Sequence, residues 1–159
     1  MPNWCMNSVT IAGTKEKLEL LVEACKNDKL LETLNPIGEW DYGKACEAWG
    51  TKWEVREVDW DMDYDNLELT LNFDSAWGPP TVAYAEGELL HNLEIRATYF
   101  EPGMMFVGMY EDREDQSWSI DFEDEDWKDN LPEELISDWG LDYEYDSWKE
   151  YQEEDEMNG

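Results

Sequence analysis

Four aspartates alternate with other residues over one short stretch, at a spacing that could gather oxygen ligands for a divalent cation. They are Asp59, Asp61, Asp63 and Asp65. Successive side chains of an extended strand point to opposite sides, so these carboxylates are expected along one side of a hairpin. A calcium-binding EF-hand loop that began at Asp59 would need glycine and glutamate where this chain has Tyr64 and Thr70. The pattern therefore favours an acidic hairpin that faces solvent or a partner over a specific metal site.

The residue types that carry most nucleophilic and metal chemistry are scarce in this chain. Because His91 is its one histidine, it can build neither a histidine-based catalytic triad nor a multi-histidine metal site. The glycines form no phosphate-cradling motif, and among 41 Asp plus Glu no carboxylate pair stands out for acid-base work. We therefore expect a non-enzymatic protein with no catalytic residue, no cofactor and no bound metal.

The cysteines and the hydropathy pattern bear on where the protein works. Cys5, Cys25 and Cys46 are odd in number and lack C-x-x-C spacing, which favours reduced thiols over a disulfide framework or a zinc site. No apolar run is long enough for a membrane span, and the first residues lack the basic start and apolar centre of a signal peptide. These features predict a cytoplasmic protein without a membrane partner.

The charge balance is extreme for a chain that can still build a core. Of 159 residues, 41 are Asp or Glu and 11 are Lys or Arg, a formal net charge of -30, yet 42% are apolar and 14% aromatic. That apolar content is enough for one folded domain. Nucleic acids and anionic membranes attract proteins through Lys and Arg. The composition therefore disfavours direct nucleic-acid binding and favours a basic protein as partner.

The charge is concentrated at the C-terminal end. Residues 111–159 carry a net charge of -18, which leaves -12 for the first 110 residues. Solvated acidic tails seldom contain large aromatic residues, but this end contains Trp127, Trp139, Trp148 and Tyr151. We therefore expect a domain over residues 1–122 and an acidic C-terminal segment, residues 123–159, that packs on it and leaves its last residues, from about Gln152, free.

Two alternating acidic sets at this end are the predicted partner contacts, together with the four aspartates above. They are Asp121, Glu123 and Glu125, and Asp142, Glu144 and Asp146. Each set would point one way if its backbone were extended. A preordered array of this kind would lose little conformational entropy on binding.

The elements that must hold these residues follow from hydrophobic periodicity. Alternation predicts strands at 4–11, 52–61, 67–73 and 93–100, and helical spacing predicts helices at 15–26 and 81–91. Residues 30–50 are irregular, 104–110 and 118–122 are expected to form a hairpin across a turn at 111–116, and a short helix is expected within 132–139. The order β-α-β-β-α-β predicts an α+β fold. Its expected form is a ferredoxin-like sandwich, with two helices on one face of an antiparallel sheet, extended by the hairpin and an acidic, partly helical C-terminal segment.

Four short motifs, in order, give the chain a resemblance. They are Asn3-Trp4-Cys5-Met6-Asn7, Trp49-Gly50-Thr51-Lys52-Trp53, Phe73-Asp74-Ser75-Ala76-Trp77-Gly78-Pro79-Pro80, and Tyr99-Phe100-Glu101-Pro102-Gly103 followed by Phe106 and Gly108. Over residues 2 to about 110 the chain resembles the YubB-type proteins, a phage- and plasmid-associated family with a ferredoxin-like domain. The resemblance implies that fold and a phage or mobile-element origin, with the host cytoplasm as the location. It implies no catalytic residues, and the acidic C-terminal third departs from the family pattern.

Three classes of function remain open. The leading expectation is a protein that binds and inhibits a basic nucleic-acid-binding host protein, of defence or transcription, by presenting carboxylates in place of phosphates as a DNA mimic. The alternatives are an acidic accessory domain without mimicry, and a nucleic-acid-binding ferredoxin-like module that uses its sheet as a stacking platform. Trp49, Trp53 and Trp77 fit core or corner packing better than a ligand cage. The oligomeric state does not follow from the sequence.

Overall fold

The computed structural model describes residues 3–158 as a mixed α+β fold. The strands are β1 (Trp4–Ala12), β2 (Asp59–Asp63), β3 (Glu68–Ala76), β4 (Glu94–Glu101), β5 (Phe106–Glu111) and β6 (Glu114–Ser119). The helices are α1 (Lys15–Lys26), α2 (Leu30–Leu34), α3 (Tyr42–Trp49), α4 (Thr81–His91), α5 (Glu133–Asp138) and α6 (Leu141–Asn158). No helix among the described residues is both long and apolar enough to cross a membrane.

All strands belong to one antiparallel sheet of six strands, in the order β2-β3-β1-β4-β5-β6. The predicted strands at 4–11, 67–73 and 93–100 agree with β1, β3 and β4 to within a few residues. The strand predicted from residue 52 begins only at Asp59. Val55 and Val58 gave that stretch a strand-like pattern, but both are buried in a loop that leads into β2.

The predicted hairpin is present with a shorter turn than expected. The strands β5 and β6 are joined at Asp112 and Arg113, which have φ values of 52° and 63°. Positive φ at both central residues is the signature of a tight type I′ turn, which matches the twist of paired strands. Because β6 is an edge strand with mostly exposed side chains, its polar sequence resembled a loop.

The first hydrophobic cluster lies between α1–α4 and one face of the sheet. It contains, among others, Val9, Leu18, Leu34, Leu71, Tyr84 and Ile95. The helices predicted at 15–26 and 81–91 have these bounds and share this face. Gly87 lies inside α4 where a Cβ would come within 2.7 Å of Leu34 Cδ2, so the close packing of α2 on α4 requires glycine.

The sequence pattern missed two helices, α2 and α3, in the stretch expected to be irregular. The helix α2 has only five residues, too few for periodicity to show. The helix α3 begins after Asp41, whose carboxylate accepts from Lys44 N, and ends at Gly50 with a φ of 85°. These are an N-cap and a left-handed C-cap of common type.

A second hydrophobic cluster lies on the opposite face of the sheet. It joins Phe100 of β4 and Val107 of β5 to Phe122, Trp127 and Leu135. The helix α5 also contacts β5, so helices lie on both faces, not on one face as expected. The residues expected as a free end, 152–158, continue α6 with exposed side chains up to Met157, and Gly159 lies outside the described residues.

Candidate functional site

Six carboxylates lie on the sheet face opposite α1–α4, and we call this set the acidic face. Its members are Asp59, Asp61 and Asp63 of β2, Glu68 and Asp74 of β3, and Glu94 of β4. Antiparallel pairing sets Asp59 opposite Asn72, Asp61 opposite Thr70 and Asp63 opposite Glu68. Directly paired residues project to the same face of a sheet. Of the predicted hairpin aspartates, the structure therefore brings three together on one face.

The acidic face has little internal charge compensation. Five of its side chains are exposed and Glu68 is half-buried, and none of the six forms an ion pair within residues 3–158. Arg96 lies opposite Thr10 and brings one cation to this side of the sheet. A shallow hollow of about 120 Å³ there is lined by Glu68, Glu94, Arg96 and Glu111, among others.

The turn between β2 and β3 is held by Asp63. Its Oδ1 accepts from Asp65 N at 3.0 Å and from Asn66 N at 3.1 Å, and its Oδ2 accepts from Asn66 Nδ2 at 2.8 Å. These hydrogen bonds, above all the one from the Asn66 side chain, lower the pKa of Asp63. Asp65 lies in the turn itself and is not a member of the acidic face.

The predicted C-terminal contacts are arranged differently from the expectation. Asp121, Glu123 and Glu125 are exposed but lie in consecutive turns, since Asp121 accepts from Glu123 N with its carboxylate and from Asp124 N with its carbonyl. The backbone there is not extended. Alternation in sequence therefore does not align these three carboxylates.

The second predicted set lies on α6, where the side-chain period is not two. At 100° per residue, Asp142 and Asp146 share one side of the helix and Glu144 points away from them. Asp142 also forms an ion pair with Lys128. The expectation that all three point one way is wrong, because the chain is helical where an extended backbone was assumed.

A second candidate site is a groove at the edge of the sheet, which we call the tryptophan groove. It encloses about 980 Å³. Its lining includes Trp4, Trp40, Trp49, Trp53 and Trp139, the acidic residues Glu32, Glu54, Glu57, Asp59 and Asp74, and the basic residues Lys29 and Arg56. The groove is thus aromatic and predominantly acidic, and through Asp59 and Asp74 it is continuous with the acidic face.

Exposed indole rings form one wall of this groove. The ring centroids of Trp4 and Trp53 are 6.2 Å apart with a tilt of 40°. Lys52 Nζ lies 4.2 Å from the centroid of Trp53 and 5.7 Å from that of Trp77. Trp40 Nε1 donates to Lys52 O at 2.8 Å, which fixes this loop. A cation held over indole faces is a cation–π arrangement.

Two polar residues that line the same groove, Glu54 and Asn7, are half-buried and buried, respectively. Glu54 accepts from Leu31 N, Glu32 N and Val55 N at 2.8–3.0 Å. Burial nevertheless raises the pKa of Glu54, against the effect of these hydrogen bonds. Asn7, only 2% exposed, donates through Nδ2 to Ser75 Oγ at 2.9 Å, while its Oδ1 accepts no hydrogen bond from the described residues.

Three of the four motifs quoted for the resemblance contribute residues to this groove, and the fourth contacts the first motif. Trp77 N donates to Asn3 O at 2.8 Å, and Thr51 Oγ1 donates to Ala76 O at 2.8 Å. A Cβ on Gly103 would come within 2.7 Å of the Asn3 side chain. Of the tryptophans predicted to pack in the core or corner, Trp49 is buried, whereas Trp53 and Trp77 are substantially exposed.

The cysteines and acidic groups show no other candidate centre in the part of the chain that the structure describes. Among residues 3–158, no group of three or more His, Cys, Asp or Glu is arranged to hold a metal ion. All three cysteines are free. Burial raises the pKa of Cys5 and Cys25 to about 12, which keeps them as unreactive thiols.

The groove could not be found from sequence because its walls come from separate stretches of the chain. Trp40 and Trp53, for example, are brought beside Trp4 by the fold. The one signal in the sequence was the density of tryptophan, 10 in 159 residues. That density does not distinguish core packing from a binding surface.

Comparison with known proteins gives little. No family model matches the chain, and no curated protein matches it. Part of the chain is similar to the crystal structure of a protein named api92 from Yersinia pseudotuberculosis, with the family model DUF1281. The two are 24% identical with a TM-score of 0.39, over 50% of this chain and 30% of that one. A likeness of this extent carries no argument about fold or function.

Proposed function

We propose that this protein binds a basic nucleic-acid-binding protein of a host cell through the acidic face and inhibits it by occupying the surface that binds nucleic acid. The observation that carries the proposal is the strand register, which gathers six carboxylates of β2, β3 and β4 on one side of the four neighbouring strands β2-β3-β1-β4. This is a binding role without catalysis, and no cofactor takes part in it.

The spacing of these charges supports mimicry of a nucleic-acid strand. Alternate residues of a strand are about 6.8 Å apart and neighbouring strands about 4.8 Å apart. The six carboxylates therefore fall within a length of about 20 Å along the strands and a width of about 14 Å from β2 to β4, a mean of roughly one charge per 3.4 Å of length. One strand of B-DNA carries its phosphates at about that spacing along the helix axis.

The backbone that carries these charges is also preordered. Both β2 and β3 are hydrogen-bonded in a sheet, and Asp63 fastens the turn between them. A disordered acidic segment must give up backbone conformational entropy when it binds, but the backbone of paired strands has lost most of it already. The acidic face is therefore better suited to tight binding than its number of charges alone would suggest.

The C-terminal segment contributes to the same function at longer range in this proposal. It provides much of the negative charge of residues 111–159. Its carboxylates, however, do not all point to one side of the molecule. Such a charge distribution speeds the approach of a basic partner by electrostatic steering and adds little to the final contact.

We also infer that β1–α1–β2–β3–α4–β4 is a ferredoxin-like unit to which β5 and β6 are added. The order β2-β3-β1-β4 of the antiparallel sheet supports it. The four sequence motifs, in order, support membership of the YubB-type family and a phage or mobile-element origin. The host cytoplasm is the matching location, since free cysteines persist in reducing compartments.

The test is affinity capture from lysate with duplex DNA as competitor. Three matched proteins are used: the wild type, D61N/E68Q/E94Q on the acidic face, and E123Q/E125Q/D146N in the C-terminal region. The two variants have the same net charge. We expect the wild type to retain a basic nucleic-acid-binding protein that duplex DNA and rising salt release, and the acidic-face variant to retain much less of it.

Two results would contradict this proposal. Capture that duplex DNA does not compete would mean that the partner's nucleic-acid surface is not involved. Equal capture by the wild type and the acidic-face variant would leave the accessory domain without mimicry as the better function.

A further inference from the structure

We propose that the tryptophan groove binds an extended, basic peptide segment of the partner and holds an arginine side chain against Trp4 and Trp53. This inference rests on the proposed function for the charge of the partner. It adds a second contact, in which a side chain stacks on aromatic rings. It also adds a preference for arginine over lysine, which the carboxylates of the acidic face alone would not give.

The exposed aromatic surface of the groove is the first support. Trp4 is 48% exposed and Trp53 39% exposed, although both are large indole rings in a folded domain. Exposed aromatic surface at the rim of a cavity is typical of binding sites, since tryptophan offers much contact area and loses few rotamers on binding. A guanidinium group stacks on such rings better than an ammonium does.

The chain's own Lys52 already places a cation over one of the two rings, that of Trp53. Its Nζ lies over Trp53 at 4.2 Å and also near Trp77 at 5.7 Å. Lys52 is thus an internal competitor for the faces that a ligand cation would use. Its removal should free the face of Trp53 for an incoming arginine.

The charge of the lining determines the class of ligand. Five of the charged residues that line the groove are acidic and two, Lys29 and Arg56, are basic. Single-stranded nucleic acid also stacks on tryptophan, but its phosphates would meet this acidic wall. A cationic ligand is favoured by both the rings and the carboxylates.

A short unpaired stretch of β3 favours an extended peptide over a small cation. The strand β2 pairs with β3 only from Glu68 to Asn72, and Ala76 O already accepts from Thr51 Oγ1. Within the described residues, Phe73 and Asp74 are left without a strand partner on that side, and both line the groove. Unpaired strand edges bind extended peptides through main-chain hydrogen bonds, with side-chain pockets giving selectivity.

The first experiment compares two probes of equal charge, capped hexa-arginine and capped hexa-lysine, by titration calorimetry at about 150 mM salt. We expect hexa-arginine to bind about tenfold more tightly, because only guanidinium stacks well on indole. The variant W4L/W53L should lose this preference. The matched control is W60L, since Trp60 is 41% exposed but does not line the groove.

The second experiment uses a pair of lysine variants that change the charge equally. Lys52→Ala uncovers Trp53, and Lys26→Ala uncovers Trp60, over which Lys26 Nζ lies at 5.5 Å. We expect K52A to raise the affinity for hexa-arginine severalfold more than K26A does. Both substitutions are of flexible surface side chains, so this comparison does not depend on the fold of the tryptophan variant.

Indole N–H signals in ¹⁵N-labelled wild-type protein locate the bound peptide directly. Hexa-arginine should shift the signals of Trp4 and Trp53 and leave those of Trp127 and Trp148 unchanged. Equal affinity for the two peptides, or equal effects of K52A and K26A, would overturn the inference, as would tighter binding of oligothymidine than of hexa-arginine. Since these probes do not involve the acidic-face variant, the groove can fail while the proposed function holds, and the reverse.

Discussion

The acidic face and the C-terminal segment carry the same kind of charge on different backbones. On β2 and β3, alternate residues face one way, and the register sets Asp63 beside Glu68. On α6, successive residues turn by about 100°, so Asp142 and Glu144 point in different directions. Lys128 also pairs with Asp142, whereas no carboxylate of the acidic face has such a partner within residues 3–158.

The contrast between these strands and α6 shows that the number of charges in a region and their arrangement are separate properties. Residues 111–159 hold the larger share of the net charge, yet the more regular array lies on β2, β3 and β4. A rigid array discriminates between partners, while a dispersed one mainly accelerates encounter. Substitutions in the two regions should therefore have different effects.

Phe122 should hold the C-terminal segment in position, because three aromatic rings of that segment pack around it. Phe122 is buried and lies 5.0 Å from Trp127, 5.4 Å from Tyr145 and 5.9 Å from Trp148, measured between ring centroids. Phe122→Ala should lower the free energy of unfolding by about 3–5 kcal/mol, because it removes a large buried ring and leaves a cavity.

Urea denaturation measures this effect, with Tyr151→Ala as the control. Tyr151 is exposed near the end of α6, and its truncation should change the stability by less than about 0.5 kcal/mol. A loss below about 1 kcal/mol for Phe122→Ala would mean that the C-terminal segment does not share the cooperative core.

Salt should stabilise the wild-type protein, and the acidic face should account for a disproportionate part of the effect. Raising the salt from about 10 to 300 mM shortens the Debye length from about 30 Å to below 8 Å, which screens like-charge repulsion. We expect Tm to rise by several degrees. D61N/E68Q/E94Q should flatten this rise more than E123Q/E125Q/D146N does; equal slopes would show that clustering has no energetic consequence.

A single charge reversal tests the repulsion between two directly paired carboxylates of the acidic face. Glu68 faces Asp63 directly across β2 and β3, and like charges in this position destabilise a sheet. Glu68→Lys should raise the free energy of unfolding by about 0.5–1 kcal/mol by replacing repulsion with attraction. Glu123→Lys, with the same charge change in the C-terminal region, should have a smaller effect, and the opposite order would contradict the contrast between the regions.

The smallest expected effect is a pH dependence that originates at Asp63. Its folded-state pKa is lowered by the hydrogen bonds from Asn66 and Asp65, so the ionised form is favoured by folding. This contribution is present above the unfolded pKa of about 3.9 and is lost as the pH falls through the folded value. The stability difference between wild type and Asp63→Asn should therefore shrink below about pH 4. A stability difference that stays constant down to pH 2 would mean that the hydrogen-bonding geometry of Asp63, and not its ionisation, stabilises the fold.

The elements that the sequence predicted well have long, regular periodicity. The bounds of α1 and α4 follow from apolar residues at helical spacing, and β1 follows from its alternation. The predicted start of β2 was wrong because Val55 and Val58 are buried in a loop. Buried apolar residues in a loop can resemble the composition of a strand. The helix α3 was missed because only Ala45 and Trp49 of its eight residues are buried, which is too few to mark one face of a helix.

The candidate sites also differ in how far local periodicity could predict them. The alternation of Asp59, Asp61 and Asp63 was enough to predict a shared face, because the period of a strand is local. That Glu68, Asp74 and Glu94 join them depends on register, which is set by contacts between distant parts of the chain. The alternation at Asp142 to Asp146 was misleading, since the same spacing on a helix disperses the side chains.

The most direct test compares the association and dissociation rates of the two matched triple variants with those of the wild type. The ligand is the basic protein that the wild type retains, and both rates are followed by stopped flow between about 50 and 300 mM salt. We expect D61N/E68Q/E94Q to speed dissociation roughly three- to tenfold, because it removes charges of the contact itself. We expect E123Q/E125Q/D146N to change dissociation less than about twofold and to act mainly by slowing association and flattening its salt dependence. Equal effects of the two variants on dissociation would show that net charge alone governs binding, and faster dissociation of the C-terminal variant than of the acidic-face variant would move the contact to that segment.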